Sequence, residues 1–142
     1  MKAYDNIHQD IKDIAIINYV ERTCFLWGSI RGSVRRTVGR DFEDVIFLEE
    51  TGCKDMQGNE LIEGDIIKNL NGVMMLIKYG EYEMFCPIDR AYMNNIGFYV
   101  EAAGCPQMPL GPTEESAFRL GNIHTDRKLL GGTNDFKTDK CN

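Results

Sequence analysis

The sequence predicts an α+β protein with a helix-containing N-terminal subdomain and a small, strongly bent antiparallel β-barrel. Three observations carry this prediction: helical spacing of isoleucines near the start, short β-prone runs separated by glycine-containing turns, and an Asn-Gly pair between two apolar runs. We place an α+β subdomain at residues 1–43, the barrel at 44–130 and a polar, flexible tail at 131–142.

The first element is predicted to be a helix. Ile7, Ile11 and Ile14 recur at helical spacing, and Asp5 or Asn6 can cap the first turn. The run AIINYV that follows is rich in β-branched residues, which favours a strand toward its end. The expected order is therefore helix first, then strand.

The next segment combines an apolar run with a group of arginines. Residues 23–30 contain the single tryptophan and predict a short strand followed by a loop. That loop, RGSVRRTVGR, carries four basic residues with no acidic residue among them: Arg31, Arg35, Arg36 and Arg40. Because the whole chain has a net charge of −6, this segment is its most marked charge asymmetry.

Short strands and turns follow in the barrel region. Residues 44–50 predict a strand, and Asp55–Gly58 predicts a turn in which the carboxylate accepts local backbone N–H groups. Glu63–Asp65 predicts a second reversal. Residues 96–102 alternate as a strand does, whereas the proline-rich residues 104–112 predict a loop. A helical turn and a closing strand are expected within 114–123.

The clearest local feature is the Asn-Gly pair at 71–72, which predicts a β-hairpin. A two-residue loop would set Asp65 opposite Lys78, an attractive cross-strand pair. A four-residue loop, Asn69–Gly72, would shift the register by two residues, and the sequence allows both.

Composition excludes several classes of protein. No apolar window of about 18 residues occurs, so no membrane partner is expected. The acid-containing N-terminus does not resemble a signal peptide, and cytoplasmic residence is expected. The five cysteines include no CxxC pair, and we expect reduced thiols with no metal site. No GxGxxG or GxxxxGK string is present, so no cofactor is expected.

Candidate catalytic groups are few. Glu60, Glu63 and Asp65 lie beside predicted turns, where we expect Asp65 to bind backbone amides or Lys78 rather than to act as an acid or base. His124 has no recognisable nucleophile motif near it in the sequence. We expect no catalytic residue and favour a protein that is not an enzyme.

Two strings in the chain resemble the YopX family of phage and prophage proteins. Thr51–Ile67 reads TGCKDMQGNELIEGDII, where the family pattern runs approximately TGLKDKNGKEIYEGDIV. Gly121–Leu130 reads GNIHTDRKLL, in place of a GNIYENPELL-like string that often closes the family's domain. Between them, Gly72–Phe85 is similar to the family's strand, acidic-aromatic turn and strand. The resemblance covers roughly residues 44–130.

The resemblance implies an SH3-like form for the barrel, homo-oligomerisation and no established activity. Family members often begin with an FRAWD-like motif, which residues 1–43 lack, so nothing is carried over to that part.

Three functional hypotheses follow. The favoured one is a non-catalytic oligomeric interaction or accessory module of a phage or prophage, with a phage or host protein as a further partner. The second is a nucleic-acid binder that uses Arg31, Arg35, Arg36 and Arg40, since guanidinium groups bind phosphate oxygens in pairs. The third is a cryptic enzyme. The arginines could equally form a subunit contact or a solvated surface.

Overall fold

A computed structural model describes residues 1–31 and 34–126, except the side chains of residues 29–31 and 34. The predicted 131–142 tail lies outside the described residues. The chain divides into two compact units between Glu49 and Glu50. The sequence placed its boundary after residue 43.

The described residues are nearly all β, with a sheet curled into a half-barrel and no α-helix. The α+β assignment with a helix-containing N-terminal subdomain is therefore wrong. No helix in residues 1–31 or 34–126 has the length and apolarity needed to cross a membrane.

The first unit is a five-stranded antiparallel sheet in the order β4-β3-β2-β1-β5. Its strands are β1 (Lys2–Asp5), β2 (Asp10–Asn18), β3 (Thr23–Arg31), β4 (Val34–Asp41) and β5 (Val45–Leu48), with a 3₁₀ turn at Phe42–Asp44 between the last two. Its buried core consists of Ala3, Cys24, Leu26 and Val45.

The expected helix fails because its isoleucines pair across strands. Ile11 lies opposite Tyr4 and Ile14 opposite Leu26, while Ile7 lies in the turn between β1 and β2. β-branched side chains suit a pleated sheet, and pairing on both edges of β2 outweighs the helical spacing of three residues. The arginine segment, expected as a loop, is mostly strand β4.

The second unit contains β6 (Glu50–Lys54), β7 (Glu60–Ile62), β8 (Asp65–Asn69), β9 (Met74–Cys86), β10 (Ala91–Glu101), β11 (Met108–Pro109) and β12 (Ala117–Asn122). Strands β6 and β7 form a separate pair, and the other five form a sheet in the order β11-β10-β9-β8-β12. The core of this unit contains eight buried residues: Leu61, Ile67, Val73, Met75, Ile77, Val100, Ala102 and Ala117.

The Asn-Gly hairpin is confirmed, but neither expected register is. Ile67 pairs with Met75, and the Asn69 amide donates to the Val73 carbonyl at 3.0 Å, so the loop has three residues and ends at Gly72 with φ 85°. A glycine with positive φ at the end of a three-residue loop is a common hairpin geometry. Lys78 consequently lies opposite Tyr99 rather than Asp65.

Three cysteines, Cys24, Cys53 and Cys86, are free thiols. Cys105 is disulfide-bonded, so the expectation of a reduced thiol is wrong for that residue.

Candidate binding surfaces

The four arginines do not form one cluster. Arg31 pairs with Val34 near the end of the β3–β4 hairpin, and Arg35 and Arg36 follow on β4. Arg40 lies at the other end of that strand, roughly 17 Å from Arg35 at the usual rise per residue of a strand. The four guanidinium groups therefore cannot all bind the same phosphate group.

Arg40 is a structural residue. Its Nε donates to Asp5 Oδ1 at 2.9 Å, and Lys12 Nζ donates to Asp5 Oδ2 at 3.0 Å. Asp5 has no exposed surface, and both basic side chains are nearly buried. Burial by itself would raise the pKa of Asp5. Hydrogen bonds from Arg40, Lys12 and the Ile7 amide outweigh it and hold that pKa well below its ordinary value.

Arg35 and Arg36 are exposed. The Arg35 guanidinium lies 4.6 Å from the centroid of the Trp27 ring, within the range of a cation–π contact, and 3.4 Å from Asp13 Oδ2. No ion pair joins Arg36 to another residue in the described part of the chain. Phe25, opposite Gly39 on the same hairpin, is also exposed. Because successive residues of a strand point to opposite faces, Arg35 lies on the face of Phe25 and Trp27, and Arg36 lies on the other face of β4. We call Phe25, Trp27 and Arg35 the hairpin surface.

The best candidate for a metal site is already occupied by side-chain cations. Asp5, His8 and Asp10 place ligand atoms within 4.8 Å of one another. However, the Lys12 ammonium group bonds to both carboxylates, and Arg40 bonds to Asp5 as well. These positive charges neutralise the ligands that a cation would need, so the cluster is a structural ion network.

An open pocket of about 370 Å³ lies in the first unit. Its lining includes three acidic residues, Glu21, Asp41 and Asp44, together with Arg40 and Cys24. Burial, with the nearby Asp5 charge, raises the pKa of the Cys24 thiol, so this sulfur is a poor nucleophile.

The acidic group at 60–65 is dispersed. Glu60 is exposed, whereas Asp65 is buried and accepts hydrogen bonds from the Ile62 amide at 2.8 Å and from the Asn122 side chain at 3.0 Å. Arg119 Nε lies 3.0 Å from the same carboxylate. Asp65 therefore binds a backbone amide, as expected, but its ionic partner is Arg119. Lys78 pairs instead with Glu101, at 2.7 Å.

The second unit exposes a two-stranded ribbon whose strand pairing was not predicted from the sequence. Strands β9 and β10 stay paired from Leu76–Glu101 at the base to Cys86–Ala91 at the end, where residues 87–90 form the turn. We call residues 79–98, from the Tyr79–Phe98 pair to the turn, the arm. Within β9 only Met74–Leu76 pair with β8, and within β10 only Tyr99 and Val100 pair with β11, so neither neighbouring strand extends along the arm.

One face of the arm is exposed and rich in aromatic residues. It continues the buried face that carries Ile77 and Val100, and it consists of the cross-strand pairs Tyr79–Phe98, Glu81–Ile96, Glu83–Asn94 and Phe85–Tyr92. We call these eight residues the open face. The two aromatic pairs are in contact, with ring centroids 4.8 Å and 5.5 Å apart.

The exposure of the open face is large for apolar side chains. Ile96 is 73% exposed, Tyr92 is 68% exposed, and Ile88 in the turn is 91% exposed. The signal that could have revealed the arm is the alternation in YGEYEMF and YMNNIGF on either side of Pro87 and Asp89, both of which are common in turns.

Comparison of the chain with protein families, with curated proteins and with solved structures finds no match. The fold and the surfaces described above are therefore the basis for assigning a function.

Proposed function

We propose that this protein is a non-catalytic interaction module that self-associates through its arm. The supporting observation is the open face, a strip of aromatic and aliphatic side chains on a two-stranded ribbon. The same proposal includes a YopX-like, prophage-encoded origin, a location in the bacterial cytoplasm and a further phage or host protein partner. The origin is supported by the two sequence strings, and the location by composition.

A two-stranded ribbon is marginally stable in water when nothing packs on it. Fully burying an aromatic side chain such as Phe85 contributes about 1.5–3 kcal/mol, so covering several such residues would supply a useful association energy. Contiguous exposed apolar surface on a globular protein commonly marks a contact with another macromolecule. The open face has four aromatic rings and Ile96, which is the composition of such a contact.

The described residues offer little support for catalysis. Of the groups that line the pocket, Arg40 is paired with Asp5, and burial raises the pKa of the Cys24 thiol. The buried carboxylates Asp55 and Asp65 bind backbone amides. These contacts hold the fold together, and they favour a structural role for these groups.

Self-association is tested by removing the apolar character of the open face. We expect the double variant Phe85→Ser and Tyr92→Ser to remain folded by circular dichroism. In analytical ultracentrifugation, we expect its dissociation constant for self-association to be at least tenfold higher than that of the wild type. Val20→Ser is the matched control, because Val20 is 94% exposed and lies in the other unit. A wild-type protein that stays monomeric over the whole concentration range would contradict the proposal.

Nucleic-acid binding is the second candidate, and it is favoured by one arrangement. Trp27 has an aromatic ring beside the Arg35 guanidinium group, and Phe25 lies on the same face of the hairpin, as stacking surfaces for bases do. This candidate predicts that the chain shifts nucleic acid in a gel, with a log binding affinity that falls linearly with log salt concentration. It also predicts that the shift is lost when Arg35 and Arg36 are both changed to glutamate. No shift at low salt would remove it.

A further inference from the structure

We propose that two copies of this chain pair along the outer edge of β10, the edge that faces away from β9 within the arm. The two arms then form one four-stranded antiparallel sheet in the order β9-β10-β10-β9. This inference rests on the proposed function and specifies how the arms meet. All residues that carry it belong to the second unit.

The outer edge of β10 presents unpaired backbone groups. The Leu110 amide donates to the Phe98 carbonyl at 3.0 Å, so the backbone groups of Phe98 point away from β9. This direction alternates along an antiparallel strand, and the β9–β10 register has no shift. The N–H and C=O groups of Tyr92, Asn94 and Ile96 therefore also point away from β9. No strand or loop backbone in the described part of the chain pairs with these six groups.

This edge lacks the features that usually keep strand edges from pairing, which are charge, proline, bulges and short length. Residues 91–98 read AYMNNIGF, with no charged residue and no proline, and their pairing with β9 has no bulge. The outer edge of β9 is different, because it carries Glu81 and Glu83, and the Glu83 amide donates to the Gln107 side chain at 3.2 Å. Of the two edges of the arm, that of β10 is therefore the one open to a further strand.

The edge strands of the two five-stranded sheets are protected in these ways. β11 has two residues, one of which is Pro109, and β12 has a bulge between Arg119 and Gly121. β5 has four residues, and β4 carries several charged residues, including Arg36 and Asp41. The uncharged edge of the arm thus stands apart from the other sheet edges.

A second copy of the same strand fits this edge in one register. When Asn94 lies opposite Asn94 of the second copy, Tyr92 lies opposite Ile96, and all six groups of each copy form hydrogen bonds. A shift of two residues one way sets Tyr92 opposite Phe98, whose carbonyl already accepts a hydrogen bond. The same shift the other way sets Ile96 opposite Arg90, which lies in the turn with φ 51°.

Side-chain chemistry agrees with this register. Tyr92 and Ile96, the two most exposed apolar residues of the open face, become cross-strand neighbours in both halves of the contact. The contact is isologous, with Asn94 beside the two-fold axis, and two asparagine amides can donate to and accept from each other. Glu81 and Glu83 stay on the outer strands, at least about 14 Å from the same residues of the second copy. Four strands with an apolar face are also more stable than two.

Amide hydrogen exchange, measured residue by residue by NMR, tests the backbone pairing. We expect the amides of Tyr92, Asn94 and Ile96 to exchange at least tenfold more slowly in the assembled wild type than in a dilute monomeric sample. The change should be smaller for Met93 and Asn95, because their amides point toward β9. Slowing that does not favour the three outer amides overturns the inference, since packing of the open faces alone leaves those amides unpaired.

Charged residues at position 94 test the register. We expect Asn94→Lys and Asn94→Asp each to self-associate at least tenfold more weakly than the wild type, because like charges meet at the axis. In an equimolar mixture, lysine faces aspartate, and we expect an affinity close to that of the wild type. Gln57→Lys and Gln57→Asp are the controls, because Gln57 is exposed and lies outside the arm.

The outcomes separate the inference from the proposed function. If the open faces pack against each other with β9 over β10, Asn94 meets Glu83 of the second copy. Asn94→Lys then associates more tightly and Asn94→Asp more weakly, so the proposed function stands and this inference is overturned. A mixture that fails to restore association also overturns it. A wild type that stays monomeric overturns both, and leaves the edge to an extended segment of another protein.

Discussion

Asn122, 57 positions from Asp65 in the sequence, donates its side-chain amide to the Asp65 carboxylate at 3.0 Å, and neither residue has any exposed surface. The same amide also donates to the Glu63 carbonyl at 3.2 Å, and the Ile123 amide donates to the Gly64 carbonyl at 2.8 Å. The two strings that resemble the YopX family therefore meet in space. Their residues hold a turn of β7–β8 against the end of β12.

Gly64 is expected to tolerate no side chain. It has φ 87°, and an added Cβ would lie 3.2 Å from Asn122 Nδ2. We expect Gly64→Ala to destabilise the second unit by more than about 1–2 kcal/mol, the cost of a left-handed conformation by itself. Chemical denaturation followed by circular dichroism measures the loss.

Gly58→Ala is the matched control for that variant. Gly58 has φ 82°, but an added Cβ would meet nothing within 4 Å. The excess loss in Gly64→Ala over Gly58→Ala thus isolates the packing against Asn122. Equal losses for the two variants would show that the contact with Asn122 has no energetic role.

Local turn chemistry could be predicted from this sequence, whereas long-range pairing could not. Asp55 accepts the Gln57 and Asn59 amides at 3.0 Å and 2.8 Å, as the Asp55–Gly58 pattern predicted. The same carboxylate also accepts the Arg119 amide at 2.7 Å, a contact between residues 64 positions apart that no local pattern specifies. The turn is encoded in neighbouring residues, but its second partner depends on how the sheet is assembled.

The wrong prediction of an N-terminal helix has the same origin. Three isoleucines at helical spacing are compatible with a strand when a partner exists on each side, and β1 and β3 are those partners of β2. The basic segment shows what could not be predicted about the candidate binding surface. Its arginines are visible in the sequence, but the structural role of Arg40 follows from its pairing with Asp5, which is 35 positions away.

Asp5 is expected to be essential for the first unit. Replacing it by asparagine leaves Arg40 nearly buried without a carboxylate and leaves Lys12 with only the half-exposed Asp10, and breaking a buried ion pair typically costs about 3–5 kcal/mol. The fluorescence of Trp27, the single tryptophan, reports unfolding of this unit. Asp13→Asn is the control, because Asp13 is half exposed and its pairs with Lys2 and Arg35 are worth about 1 kcal/mol or less.

The first unit should also lose stability in acid. Since the folded-state pKa of Asp5 is below its ordinary value of 3.8, its contribution is present above that value and is lost as pH falls through the lowered pKa. We expect the wild-type free energy of unfolding to decrease steeply below about pH 4, and Asp5→Asn to show a weaker decrease. Parallel curves for the two proteins would contradict the assignment of this acid sensitivity to Asp5.

Asp55 is expected to hold the turn and β12 together. Replacing it by alanine leaves the amides of Gln57, Asn59 and Arg119 without their acceptor in a region where Asp55 itself is buried. Gln57 and Asn59 are exposed, so water can replace the acceptor for their amides, whereas the half-buried Arg119 amide loses its partner. A buried amide left unsatisfied costs about 1–3 kcal/mol, and we expect a loss of that size in urea denaturation. Asp55→Asn keeps one acceptor oxygen and should lose less. Asparagine and alanine variants of equal stability would show that the carboxylate does not organise the turn.

Asp65 should give the second unit the opposite dependence on pH. Burial raises the pKa of Asp65, although the Asn122 side chain, the Ile62 amide and Arg119 act against that rise. A carboxyl group with a raised folded-state pKa favours the folded state most below its ordinary pKa, and this advantage is lost as pH rises through the raised value.

Asp65→Asn has no such titration, but it keeps only one acceptor oxygen for the same three donors. We therefore expect the wild type to be the more stable protein in acid, and its advantage over Asp65→Asn to shrink as pH rises from about 4 toward 7. Urea denaturation followed by far-ultraviolet circular dichroism measures this gap, and a gap that widens with pH would contradict the raised pKa.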